Sequence, residues 1–134
     1  MLDDVEDNDR QLVSVVDDDE SLRRSVRNLL SSVGFQVETF ASAEAFLQSA
    51  HRGNTGCMVL DVRMPGMSGF DLLTHLAATG ARIPAVILTA HSDEESRRRA
   101  LQAGAVVFLG KPFHGEALVG AVRKALLVEA GPRP

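Results

Sequence analysis

Two hydrophobic periodicities alternate along the chain. Leu12–Val16 is a β-branched apolar run, and Cys57–Asp61 (ending in an acid), Ala85–Thr89 and Ala105–Leu109 are further short apolar runs, the pattern of strands buried on both faces. Phe35–Phe40 alternates apolar and polar positions, as a half-exposed strand should. Between these runs the spacing changes to that of helices. Leu22, Val26, Leu29, Leu30 and Val33 lie on one face of a helix predicted from about Glu20 to Val33, with Gly34 as its stop. Ser42 is placed to cap a short helix through about Ser49, with Glu44 in its first turn. Leu72, Leu73 and Leu76 mark a helix over Phe70–Thr79, and Ser92 is expected to cap another that runs to about Ala103. A last helix is predicted from about Gly115 to Glu129. Five β–α units in series predict a doubly wound parallel sheet, with helices on both faces and right-handed crossovers.

The ends differ from this middle. Residues 1–10 are acidic and read as a flexible tail, residues 11–129 as the domain, and residues 130–134, ending in Gly-Pro-Arg-Pro, as a linker or terminus. No repeat or low-complexity segment interrupts the domain. A length of 134 residues suits one domain, and 45% hydrophobic residues argue for a packed core over disorder. Every apolar run falls far short of the roughly 20 residues a membrane helix needs. The N-terminus lacks the apolar core of a signal peptide, and the lone cysteine, Cys57, has no partner for an internal disulfide. A cytoplasmic protein is expected. A net charge of −4 gives no electrostatic basis for direct nucleic-acid binding.

Ligands of such sheets collect at the carboxyl ends of the strands. Asp17, Asp18 and Asp19 follow the first strand, Asp61 ends the third, Thr89 the fourth, and Lys111 follows the fifth. Taken singly, each has an ordinary explanation: a first-turn acid, a loop residue, a solvated lysine. Together they fall on one edge of the sheet and none on the other. Clustered carboxylates repel one another unless a cation offsets them, and a hard anionic oxygen site suits Mg²⁺. An aspartate there can attack phosphorus and form an acyl phosphate. A metal on one side and an ammonium on the other would neutralise the transferring group, while a threonine hydroxyl donates to one of its oxygens. No serine or cysteine is paired with a histidine, and His51, His75, His91 and His114 lack metal-ligand spacing.

The stretches VVDDDES, LDVRMPGMSGFDLL, ILTAH and AGAVVFLGKPF together resemble the receiver domain of bacterial two-component response regulators, over about residues 11–128. SAEAFL and RMPGMSG are most similar to the nodulation and nitrogen-fixation type, whose receivers precede a helix-turn-helix output domain. The resemblance implies a flavodoxin-like (βα)5 sheet with strand order 2-1-3-4-5. It implies Asp61 as phosphoacceptor, Asp18 contacting Mg²⁺ directly, Asp17 acting mainly through water, and the Arg63 backbone carbonyl completing the protein ligands. Asp19 matches a lesser acidic position. Lys111 would pair with a phosphoryl oxygen, Thr89 would be the switch hydroxyl, and Phe108 the switch aromatic that turns inward. Lys111–Pro112 matches a bond that is cis in the family. The implied donor is a sensor histidine kinase. The implied output is a surface on the fourth helix, fifth strand and fifth helix that controls dimerisation or a DNA-binding domain. Self-catalysed phosphoryl transfer and slow autodephosphorylation are the only chemistry expected.

Some residues fall outside that pattern. Val107 is either a core valine or an outward contact for a partner, and the Arg97–Arg99 run is either a solvated face or a match for an acidic surface. Arg63 and His91, each two residues past a site residue, would flank water entry to the phosphoryl group. Gly110 adds backbone freedom beside Lys111. Three other readings share part of the pattern. A flavin module needs a neutral loop where Asp17–Asp19 stand. An aspartate-nucleophile phosphatase normally has a second acid two residues after the nucleophile, where this chain has Arg63. A degenerate receiver would serve only as a protein-binding module, but every expected site residue is present.

Overall fold

A computed structural model of the chain describes residues 12–128. The elements run β1 (Leu12–Val16), α1 (Glu20–Ser32), β2 (Gln36–Phe40), α2 (Ala43–Leu47), a 3₁₀ turn (Arg52–Asn54), β3 (Cys57–Leu60), α3 (Gly69–Ala78), β4 (Ala85–Thr89), α4 (Glu94–Gln102), β5 (Val107–Gly110) and α5 (Gly115–Val128). All strand pairs are parallel, in the order β2-β1-β3-β4-β5. This is the doubly wound flavodoxin-like fold that the alternation and the resemblance implied. The expected acidic tail over 1–10, the ending at 130–134 and Glu129 lie outside the described residues.

Side-chain alternation along the three central strands divides the core in two. Val13, Val15, Cys57, Val59, Val86 and Leu88 face α1 and α5, where Val26, Leu30, Leu118 and Val122 meet them. Met58, Leu60, Ala85 and Ile87 face the other way, against Phe46 of α2, Leu72 and Leu76 of α3 and Ala100 of α4. Leu118 is fully buried in the first of these layers. Leu118→Ala is expected to cost about 2–5 kcal/mol in a denaturant melt, by lost transfer energy and the cavity left behind. Burial leaves the Cys57 thiol inert and pushes its pKa up to about 12. Buried Ser14 is satisfied across the layer by the Thr55 hydroxyl at 2.7 Å, which itself donates to the His51 carbonyl at 2.8 Å.

Several boundaries differ from expectation for identifiable reasons. The cap of α4 is Asp93, whose carboxylate accepts from the Ser96 amide at 2.8 Å, and Ser92 lies outside the helix. Asp19 caps α1, accepting from the Leu22 amide. β5 begins at Val107, two residues late, because the Ala105 amide closes the end of α4 on the Ala100 carbonyl. β2 begins at Gln36 for the same reason, the Phe35 amide being bonded to the Leu30 carbonyl.

Candidate functional site

The parallel register carries chemistry to one edge. Val16 stands opposite Leu60, so the residues that follow, Asp17 and Asp61, leave β1 and β3 side by side, and the Asp61 amide donates to the Val16 carbonyl at 3.1 Å. One carboxylate oxygen from each of Asp17, Asp18 and Asp61 lies within 4.8 Å of the others. The Lys111 ammonium, delivered by the end of β5, sits 3.0 Å from Asp17 Oδ2 and 3.7 Å from Asp61 Oδ2. Thr89 ends β4 between them in strand order, fully buried, and its carbonyl accepts from the Lys111 amide at 2.8 Å. Four segments far apart in the chain thus meet at the carboxyl edge.

The three acids are not equivalent. Asp17 is 2% exposed, and both its oxygens are engaged: Oδ1 accepts from the Asp19 amide at 2.9 Å and Oδ2 from Lys111. Burial holds its carboxyl above the ordinary value despite those two hydrogen bonds, and the neighbouring charge of Asp61 adds to the rise. Asp61 is also buried, and its Oδ1 accepts from the Val62 amide at 2.7 Å. That leaves Asp61 Oδ2, faced only by the longer Lys111 contact, as the oxygen available for chemistry. Asp18 is exposed. An all-oxygen donor set with one exposed carboxylate beside two buried ones fits a hydrated hard cation such as Mg²⁺.

A family described as "Response regulator receiver domain" matches residues 13–123. The chain belongs to the response regulator receiver family. The receiver is 48% identical over 113 residues to nodulation protein W of Bradyrhizobium diazoefficiens, covering 84% of this chain and 50% of that protein. It is 44% identical to the transcriptional regulatory protein FixJ of Azorhizobium caulinodans, over 85% of this chain and 54% of that one. The chain therefore spans about half the length of these curated relatives. Among solved structures it superposes on FixJ-N with a TM-score of 0.81 at 37% identity, covering 90% of this chain and 97% of that one. The response regulator StyR gives the same TM-score, 0.81, at 50% identity, covering 87% and 59%. No helix among the described residues of the receiver is long and apolar enough to cross a membrane.

The remaining expected residues of the receiver are placed as follows. The Lys111–Pro112 bond is cis. Phe108 stands opposite Ile87 and packs, half-buried, against the α2–α4 layer. Val107 is half-buried and packs against the other layer, beside α5. All three arginines of the run are exposed, and the Arg99 guanidinium lies 4.4 Å over the Phe70 ring. Hydrogen bonds from Ser96 hold the Asp93 carboxyl below its usual range, and the charges of Arg63 and His91 add to this. Those two side chains therefore lie near the start of α4.

Three supporting residues escaped the sequence. Arg23 of α1 donates to the Asp17 carbonyl at 2.8 Å, bracing the first acidic loop. Glu44 of α2 accepts from the Met67 amide at 3.0 Å and so holds the β3–α3 loop from across the sheet edge. Gly69, the first residue of α3, has no room for a side chain: a Cβ there would fall 2.2 Å from the Asp61 carbonyl oxygen. Its own amide donates to the Val62 carbonyl at 2.8 Å. Gly69→Ala must push α3 away from β3, and a loss of at least about 1–3 kcal/mol is expected by chemical denaturation. Glycine in RMPGMSG was visible in the sequence, but only the approach of the helix to β3 shows what it is for.

Proposed function

We propose that this receiver accepts a phosphoryl group on Asp61 from a phosphohistidine of a sensor kinase, and that the new charge switches an output. The observation that carries this reading is the Lys111 ammonium set between the buried carboxylates of Asp17 and Asp61, at 3.0 and 3.7 Å. Asp61 Oδ2 attacks phosphorus, the bond from phosphorus to the donor nitrogen breaks, and its electron pair leaves on the imidazole. An acyl phosphate remains. Bound by Asp17, Asp18, Asp61 and the Arg63 carbonyl, Mg²⁺ would supply positive charge to the phosphoryl oxygens. Lys111 balances the same charge from the β5 side, and the Thr89 hydroxyl donates to a phosphoryl oxygen. Turnover is limited to self-phosphorylation and slow hydrolysis of the product.

Phosphorylation adds about −1.5 to −2 charges at the end of β3. Movement of Thr89 toward that charge lets Phe108 turn inward and rearranges the α4–β5–α5 surface, which controls homodimerisation or a neighbouring DNA-binding output domain. A role in transcriptional control is supported by the regulators it resembles, and the compartment that fits such a signalling role is the cytoplasm. Acetyl phosphate with Mg²⁺ tests the reading by intact-mass spectrometry. One added phosphoryl group, absent in Asp61→Asn and without Mg²⁺, is expected. Labelling that survives Asp61→Asn places the acceptor elsewhere, and no labelling at all favours a degenerate binding module.

A further inference from the structure

Gly110 is the last residue of β5 and stands opposite Thr89 in the strand register. Its backbone lies outside the left-handed region, so no dihedral angle demands glycine there. What demands it is space. A Cβ at 110 would lie 2.8 Å from the Cβ of Ser92 and 2.9 Å from its Oγ, closer than side chains pack. Ser92 belongs to the loop between β4 and α4, three residues past Thr89 and just before the α4 cap, Asp93. The same loop is pinned a second time, by the His91 amide donating to Thr89 Oγ1 at 3.1 Å. An N–H on the hydroxyl oxygen leaves the hydroxyl's own proton free to be donated. On the other side of Gly110, the Lys111 amide holds the Thr89 carbonyl at 2.8 Å. The end of β5 therefore sets both the ammonium and the loop that orients the hydroxyl.

We infer that Ser92, seated on the bare face of Gly110, sets the position of the β4–α4 loop that aims the Thr89 hydroxyl at the phosphoryl group. Gly110 and Ser92 are positioning residues, acting through His91 and Thr89 without touching the reacting atoms. The inference rests on the phosphoacceptor reading of Asp61. It differs from a general packing role in one respect: its effect on phosphoryl binding must pass through one hydroxyl.

Beryllofluoride, a phosphoryl mimic, titrated into the full chain with Mg²⁺ and followed by ¹⁹F NMR, tests it. Gly110→Ala is expected to raise the midpoint about fivefold, the factor that one lost hydrogen bond represents. Adding Ser92→Gly to that variant makes room for the new methyl and should restore the midpoint to within about twofold. In a Thr89→Ala background, Gly110→Ala should shift nothing further, because the hydroxyl it misplaces is gone. Ser92→Val crowds the same contact from an exposed loop and gives the same shift should Gly110→Ala fail to fold. A wild-type midpoint in both crowding variants, or an equal shift in the Thr89→Ala background, overturns the inference. Failure of the unaltered chain to bind beryllofluoride overturns the phosphoacceptor reading itself, and the inference with it.

Discussion

Lys111→Ala is expected to slow acetyl phosphate labelling of Asp61 by about 10²–10³-fold, the range seen when one preorganised group facing developing charge is removed. At the same time it should tighten Mg²⁺ binding. The two effects have one cause. The Lys111 side chain is only 19% exposed, so its charge acts on Asp17 and Asp61 with little screening by water. In the resting state the ammonium partly neutralises the acids and competes with a divalent cation for them. In the proposed transfer it would balance the charge of the phosphoryl oxygens from the β5 side. The chain's only other lysine, Lys124, lies on α5, away from the strand ends. Labelling rates by mass spectrometry and Mg²⁺ affinity by calorimetry separate the effects. A variant that labels at the wild-type rate would show that the ammonium has no part in the transfer.

Asp17→Asn should stabilise the metal-free chain at neutral pH and abolish most of its stabilisation by Mg²⁺. Burial raises the Asp17 carboxyl above its ordinary value of 3.8 in the folded chain. Between that value and the raised one, the native state keeps a proton that the unfolded chain has released. Stability therefore falls as pH rises through this window, and at neutral pH the full cost of a buried charge is present. Asparagine removes the charge and still accepts the Asp19 amide. A gain of about 1 kcal/mol, several degrees in Tm for a domain of this size, is expected at pH 7 without metal. The gain should vanish as pH is lowered below the ordinary carboxyl value. With Mg²⁺ at a hundred times its Kd the wild type gains about 2.7 kcal/mol and the order reverses. If the variant melts below the wild type in metal-free buffer at pH 7, the Lys111 pairing outweighs burial and the Asp17 charge is a net stabiliser of the fold.

Much of the frame was legible because local patterns are strong where burial is complete. β1 and β4 match their predicted bounds, both being apolar runs buried at every position. Asp17, Asp18, Asp61 and Lys111 converge as their places at strand ends implied. Legibility failed where two residues compete for one local role. Ser92 and Asp93 are both good helix caps by residue type. Asp93 takes the cap while Ser92 lies against Gly110, a contact between separate segments of the chain. Val107 could have faced either way from its sequence, and the packing around β5 sets it, half-buried, against the α1–α5 side of the core.

The order of strands and helices, the acids at strand ends and the family were determined by the sequence alone, because periodicity and strand-terminal chemistry are properties of short segments. Which carboxylate is buried, which oxygen of Asp61 carries no hydrogen bond, and why Gly69 and Gly110 have no side chain were decided only by the tertiary structure. Those properties depend on distances between segments, and a distance set by packing helices and loops against a sheet leaves no mark on any one stretch of chain.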